Sequence, residues 1–215
     1  MSLTMTTTPT ETELEFDRQV DALEQAGLPG LLDVKDECFR AMLEPLRDLL
    51  PPPAAHGGGI PFVVVVPDAP VAELLPAVHT PAGDGATLLS QAELTGFSAL
   101  PELDVPAVPY LLLDVDTGQQ PAGAAPAAGA DDPATVIAAG GRSPLTLVEG
   151  LAMLLCDCGV RRSGPSFALL GTRDGAGRHP LLRGDGERLV LTAGAPGEDR
   201  VELAAAASCA GRRPA

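Results

Sequence analysis

A run of β-branched residues between two prolines constrains the fold of this chain more than any other feature. Residues 61–67 (PFVVVVP) lack the alternation of a half-exposed strand, and valine favours extended backbone. We therefore predict a strand that is buried on both faces. A second apolar run, residues 110–116 (YLLLDVD), is ended by Thr117 and Gly118 and predicts another strand.

Helical patterns come before these strands. Residues 10–26 place apolar side chains at helical spacing, with Thr10 or Thr12 as the start signal and Gly27 at the end. Residues 36–50 carry a second apolar stripe, which Pro45 is expected to kink or split. About ten residues separate the two, so we predict an antiparallel helical pair.

Further helices and strands follow in the second half of the chain. Short helices are predicted over residues 70–75 and from Asp131 to Ala139. A stronger helix signal ends at Gly159, and its start is either Ser143-Pro144 or the capping box of Thr146 and Glu149. Strands are expected over residues 167–170, 181–182, 189–192 and 201–205. This order predicts an α+β fold with an N-terminal helical pair, a mixed central sheet with helices and a C-terminal antiparallel meander.

Composition sets the expected domain boundaries. Residues 1–13 are polar and predict a disordered tail, of which residues 1–4 are interpreted as an expression remnant. Residues 14–209 are expected to form a single domain. Within it, the Gly-, Ala- and Pro-rich residues 119–130 predict a mobile loop. Residues 210–215 are expected to be a flexible C-terminal tail.

Charge and aromatic content exclude several classes of partner. The 215 residues carry a net charge of −15, which disfavours nucleic acid and anionic membranes. Aromatic residues make up 3%, with no Trp and one Tyr, so few stacking platforms exist. With four cysteines, no leader pattern and no apolar run long enough to cross a bilayer, we expect a cytoplasmic protein. No cofactor is predicted, and a homo-oligomer or a protein partner stays open.

Basic residues concentrate at the end of the chain. Residues 54–159 carry twelve acids and one base, whereas residues 160–215 carry six acids and nine bases. The favoured interpretation is that the basic part attracts the acidic body when the two pack together. The alternative is an anion site among the arginines of the basic part: Arg161, Arg162, Arg173, Arg178, Arg183 and Arg188.

Asp114 and Asp116 are the first candidates for a functional pair. Two residues apart on a predicted strand, they would share one face and could hold a divalent cation or share a proton. The favoured alternative is structural: Asp116 makes the turn with Thr117 and Gly118. Arg173 and Cys209 complete the set of candidate catalytic residues.

Other motifs are weaker. Cys156, Cys158, Cys209 and His179 could form a metal site, but Cys-x-Cys on a helix directs its thiols to different sides, so we predict no metal. The alternative is that one cysteine is buried as a small apolar residue. His56 and residues 57–59 (GGG) are similar to an esterase oxyanion loop, but no Gly-x-Ser-x-Gly accompanies them, so we interpret them as a linker.

Five short blocks carry a family resemblance. They are residues 16–20 (FDRQV), 109–118 (PYLLLDVDTG), 141–150 (GRSPLTLVEG), 167–173 (FALLGTR) and 207–209 (ASC). With these blocks the chain resembles domain-of-unknown-function family 5701, and the resemblance implies an actinobacterial origin. It implies no reaction, cofactor or catalytic residue. The chain departs from the family between residues 175 and 206, where the family is rich in aromatics and this chain has none.

The residues favour a non-catalytic binding or interaction module, because no complete catalytic set can be assembled from them. The alternative is an enzyme that acts on a small polar or phosphorylated metabolite through Asp114, Asp116 and Arg173. The sequence favours the module without excluding the enzyme.

Overall fold

A computed structural model describes residues 10–52, 59–80, 83–118, 133–156, 166–184, 189–194 and 206–215. The predicted loop 119–130, the predicted strand 201–205 and residues 1–9 of the predicted tail lie outside the described residues, as do His56 and the first two glycines of the linker. The described elements combine helices with antiparallel and mixed sheets, so the α+β class is confirmed.

The helices largely follow the predicted pattern. Thr10 caps the first helix, which therefore includes residues 11–13 and corrects the prediction of a disordered tail there. In the second predicted helix, Pro45 lacks the N–H that an α-helix needs, and the backbone tightens into a 3₁₀-helix from Glu44. The helices are α1 (Glu11–Gln25), α2 (Leu28–Leu31), α3 (Asp36–Leu43), α4 (Val71–Ala77), α5 (Gln91–Thr95), α6 (Pro133–Ala139) and α7 (Leu147–Leu155), and the 3₁₀-helix is Glu44–Leu49.

The strands are short, and several join segments far apart in the chain. They are β1 (Ile60–Val65), β2 (His79–Thr80), β3 (Gly83–Asp84), β4 (Ala86–Thr87), β5 (Ser98–Ala99), β6 (Tyr110–Val115), β7 (Ser143–Pro144), β8 (Ser166–Ala168), β9 (Thr172–Arg173), β10 (His179–Gly184), β11 (Leu189–Gly194), β12 (Ser208–Cys209) and β13 (Gly211–Pro214).

The two strands predicted from apolar runs are neighbours in one antiparallel sheet. β1 pairs with β6, with Val64 opposite Leu111, and β13 pairs with the other edge of β6 in the order β1-β6-β13. The predicted flexible tail at residues 210–215 is therefore wrong for Gly211–Pro214. The sequence GRRP has no strand pattern, so only pairing with β6 reveals it as a strand.

A buried glutamine closes the free edge of β1. Gln19 of α1 is fully buried; its Nε2 donates to the Phe62 carbonyl at 3.0 Å, and its Oε1 accepts the Val64 N–H at 2.9 Å. Nε2 also donates to Glu15 at 2.9 Å. The side-chain amide thus takes the place of one residue of a neighbouring strand and satisfies an edge that would otherwise stay unpaired.

The second sheet holds the strands predicted near the C-terminus. Its order is β4-β11-β10-β8, in which β4 runs parallel to β11 and the other pairs are antiparallel. The main core of buried apolar side chains includes residues of both sheets and of helices α1 to α5 and α7. Ala134 and Ile137 of α6 pack against a smaller cluster formed by Ala168, Leu170 and Leu181. In the described part of the chain, no helix is long and apolar enough to cross a membrane.

Candidate functional site

The first turn of α7 organises the polar residues of the core. The Oγ1 of Thr146 accepts the Glu149 N–H at 3.3 Å, and Oε2 of Glu149 accepts the Thr146 N–H at 2.7 Å. The helix therefore begins at the capping box and not at Ser143, the other predicted start. Ser143 and Pro144 form β7 instead and pair with β12.

Glu149 is fully buried and joins three distant segments. Its Oε1 accepts the Tyr110 hydroxyl at 2.7 Å and Arg212 Nε at 2.6 Å, and its Oε2 accepts Arg212 Nη2 at 2.9 Å. Arg212 also donates to Ser143 Oγ at 2.6 Å and to the Pro144 carbonyl at 3.0 Å. We call Tyr110, Ser143, Glu149 and Arg212 the Glu149 network.

Electrostatics favour one protonation pattern in this network. Burial, reinforced by the adjacent Glu149 carboxylate, raises the pKa of the Tyr110 phenol far above its usual value, so Tyr110 remains a donor. Burial by itself would lower the pKa of Arg212, but hydrogen bonds and attraction to Glu149 outweigh it and raise that pKa. The network is thus a bidentate ion pair with a neutral tyrosine, and its groups are engaged with one another.

A cavity of about 180 Å³ lies beside the first turn of α7. Its walls come from α4, α5, the start of α7, strands β5, β6 and β9, and the segment between β5 and β6. The described residues that line it include no charged side chain. We call it the α7 cavity. Its lining residues are Pro67, Val71, Leu94, Phe97, Ala99, Val105, Tyr110, Thr146, Leu147, Val148 and Thr172.

Thr172 reaches the α7 cavity because a glycine precedes it. A Cβ at Gly171 would lie 2.7 Å from the Leu145 carbonyl oxygen, so only glycine allows the two backbones to approach this closely. The approach lets Thr172 Oγ1 accept the Leu147 N–H at 2.9 Å, which satisfies one of the free N–H groups at the start of α7.

The two candidate aspartates, Asp114 and Asp116, have different hydrogen-bond partners in the structure. Asp114 has a positive φ of 48° and pairs with Arg142, whose Nη1 lies 2.8 Å from its Oδ2. Arg142 also donates to the Asp114 carbonyl and, at 2.9 Å, to Ser208 Oγ. Asp116 Oδ1 accepts the Gly118 N–H at 2.8 Å, which is the turn that the structural interpretation predicted.

Cys209 lies close to this region but is poorly suited to nucleophilic attack. β12 places it fully buried beside β7, and the backbone of the preceding Ser208 pairs with Asp116. Burial raises the pKa of the Cys209 thiol to about 11, although attraction to Arg212 opposes the shift. At neutral pH the thiol is therefore protonated.

Thiol labelling tests this placement of Cys209. We expect iodoacetamide at pH 7.5 to modify the exposed Cys38 readily and to leave Cys209 unmodified in the folded protein, because Cys209 is both buried and protonated. Peptide mass mapping in a Cys158→Ser background measures both sites, with Cys38 as the internal control. Equal labelling of the two in the folded state would contradict the buried placement.

No described contact joins Arg173 to Asp114 or Asp116. It lies in β9, and its Nη1 donates to the Leu170 and Thr172 carbonyls, both at 3.0 Å. Arg178 pairs with Asp174 at 2.7 Å and with Glu93 of the acidic body at 3.3 Å, as the packing interpretation of the basic segment predicts. Of the other arginines proposed for an anion site, Arg183 lies at the end of β10, and Arg161, Arg162 and Arg188 fall outside the described residues.

The candidate metal ligands are distributed over the structure. Cys156 is buried at the end of α7, where its thiol lies 4.0 Å from the Val64 carbonyl oxygen, and His179 is buried at the start of β10. Cys158 lies outside the described residues. Among the residues that the structure describes, no group of three or more His, Cys, Asp or Glu could hold a metal ion.

Comparison with known proteins gives one match. A family model described as a family of unknown function, DUF5701, matches residues 22–184. The chain belongs to the DUF5701 family. The DUF5701 match includes every residue that lines the α7 cavity, and Glu149 as well, whereas Gln19 precedes it and Arg212 follows it. No curated protein and no solved structure matched the chain.

Local sequence patterns locate parts of this DUF5701 site but not the contacts that join them. Glu149 was expected only as a helix cap and Tyr110 only as a strand residue, although a single tyrosine in a buried run signals a partner for its hydroxyl. The sequence predicts a flexible tail at Arg212 and carries no functional signal at Arg142. Arg212 pairs with Glu149 and Arg142 pairs with Asp114, and each partner lies far away in the sequence. Local sequence patterns therefore carry no signal for these ion pairs.

Proposed function

We propose that this protein is a binding module that holds one small, mostly apolar molecule in the α7 cavity. The observation that carries the proposal is the cavity itself, which has about 180 Å³ of space, largely apolar walls and three hydroxyl-bearing residues, Tyr110, Thr146 and Thr172. A few converging polar groups on a largely apolar wall are typical of small-molecule sites. Apolar cavities of roughly 150 Å³ already accept benzene.

Binding is favoured over catalysis because Glu149, which contacts the cavity residue Tyr110, and the candidate Asp114 are both engaged in internal contacts. Glu149 is held by Arg212 and Tyr110, and Asp114 is held by Arg142. A general acid or base needs a group that can exchange a proton with substrate. The alternative enzyme would need Asp114, Asp116 and Arg173 to act together, and their described contacts lead to different partners.

Occupancy of the α7 cavity can be tested with toluene, which has no polar group. We expect toluene to raise the melting temperature and to bind with a dissociation constant on the order of 1 mM or lower, equivalent to about −4 kcal/mol. Ala99 is an exposed residue in the cavity lining, so Ala99→Trp should cover the opening and abolish the shift.

Ala92→Trp is the matched control, because Ala92 is an exposed alanine of α5 outside the cavity lining. It should leave toluene binding unchanged. Ligand-observed NMR measures binding in all three proteins. Failure of toluene to bind, or equal binding to wild type and Ala99→Trp, would refute the proposed site.

A further inference from the structure

Three helices in the described part of the chain begin with a capping box, and comparing them exposes a difference at α7. In α1, the hydroxyl of Thr10 donates to Glu13 Oε2 at 2.8 Å. In α5, the hydroxyl of Ser90 donates to Glu93 Oε2 at 2.9 Å. In both helices, the capping hydroxyl therefore uses its proton as well as its lone pair.

The hydroxyl of Thr146 in α7 does not donate to its partner Glu149. The Glu149 carboxylate is bound instead by Arg212 and Tyr110. Thr146 Oγ1 accepts the Glu149 N–H, but no acceptor for its own proton lies among the described residues. Thr146 is only 5% exposed, so the unused donor is buried.

Thr172 presents a second donor of the same kind. Its Oγ1 accepts the Leu147 N–H, and the part of the chain that is described offers no acceptor for its proton. Thr172 is 3% exposed and, like Thr146, lines the α7 cavity. Two buried hydroxyl protons for which the described residues supply no acceptor, both on one cavity wall, indicate a ligand that supplies one, because leaving them unpaired costs free energy.

The charge of that acceptor follows from the rest of the lining. Among the described residues that line the α7 cavity none is a cation, and the nearby Arg212 is already paired with Glu149. A carboxylate or phosphate would lose its hydration without a compensating charge, which is strongly unfavourable in an apolar cavity. The favoured acceptor is therefore neutral.

We propose that the α7 cavity binds small neutral molecules with an apolar body and a carbonyl-type oxygen that accepts hydrogen bonds from the Thr146 and Thr172 hydroxyls. This inference rests on the proposed function and adds the chemical class of the ligand. The Val148 N–H, for which no acceptor is found among the described residues, lies in the same first turn of α7 and offers a further donor.

Three molecules of nearly equal size separate the contributions of hydrogen bonding, apolar contact and charge to binding in the α7 cavity. Acetophenone carries the carbonyl, α-methylstyrene replaces its oxygen by a methylene group, and benzoate carries a charge. We expect acetophenone to bind wild type about tenfold more tightly than α-methylstyrene, as expected for one buried hydrogen bond or more, and benzoate to bind most weakly. Dissociation constants come from NMR titration of the full chain.

The variant Thr172→Val removes one donor, and Thr172→Ser retains it as the matched control. The preference for acetophenone over α-methylstyrene should fall from about tenfold to about threefold in Thr172→Val, because the Thr146 hydroxyl remains, and it should persist in Thr172→Ser. Equal binding of the two molecules to wild type, with both displaced in Ala99→Trp, would overturn this inference while the proposed function stands. Tightest binding of benzoate would also overturn it, and lack of binding by all three molecules and toluene would overturn both proposals.

Discussion

Replacing Arg212 by methionine is expected to lower the free energy of unfolding by about 3–5 kcal/mol, the cost of removing one partner of a buried ion pair. The Arg212 side chain is 6% exposed and Glu149 is fully buried, so the variant leaves a carboxylate without its cation in the core. It also leaves Ser143 Oγ and the Pro144 carbonyl without their donor. Chemical denaturation at pH 7 measures the effect.

Arg213→Met is the matched control for this prediction. Arg213 is the neighbouring residue of β13, and within the described part of the chain its exposed side chain donates only to the Leu49 carbonyl at 3.0 Å. Its replacement should cost about 0.5 kcal/mol or less, as for most exposed side chains. Equal losses in the two variants would show that the strand, and not the buried ion pair, carries the stability.

The double variant Arg212→Met, Glu149→Leu separates the cost of the unpaired Glu149 carboxylate from the cost of altered packing. If the cost of Arg212→Met comes from the unpaired Glu149 carboxylate, adding Glu149→Leu should cost much less than it does in the wild-type background. We expect a coupling of about 2 kcal/mol or more between the two positions. Additive losses would contradict the assignment of Glu149 and Arg212 as a single unit.

Replacing Gln19 by methionine should lower the free energy of unfolding by about 2–4 kcal/mol. Methionine fills a similar volume, but it leaves the Phe62 carbonyl and the Val64 N–H without partners in a buried sheet edge. Gln25→Met is the control, because Gln25 is an exposed glutamine of the same helix, and its cost should stay within about 0.5 kcal/mol. Matching losses at the two positions would contradict the edge-closing role of Gln19.

The variant Gln19→Glu adds a dependence on pH. At neutral pH the new carboxylate can accept from Val64 but cannot donate to Phe62, and burial raises its pKa in the folded state above the unfolded value. Since the folded pKa of an acid is raised, the destabilisation is present above that pKa and disappears as the pH falls below the unfolded value of about 4.3. We expect the deficit relative to wild type to be smaller at pH 4 than at pH 7.

The elements that local patterns encode could be predicted from the sequence. The apolar runs at β1 and β6, the stripe of α1 and the capping box at Thr146 each lie within a few turns or one strand length. The site was harder, because Arg212 follows Glu149 by 63 residues and lies in a stretch without strand pattern. Asp114 is recognisable in the sequence as a charged residue near the end of a predicted strand, but its positive φ and its partner Arg142 cannot be read from spacing.

Propensity, capping and periodicity act between residues a few positions apart, so the order of amino acids specifies where the backbone becomes helical or extended. Which polar groups meet in the core depends on long-range packing. Gln19 reaches β1, Arg212 reaches Glu149, and Thr172 reaches the start of α7 through contacts between distant segments. A buried polar group must find a partner wherever the fold places one, and that partner is set by the packing of the whole chain.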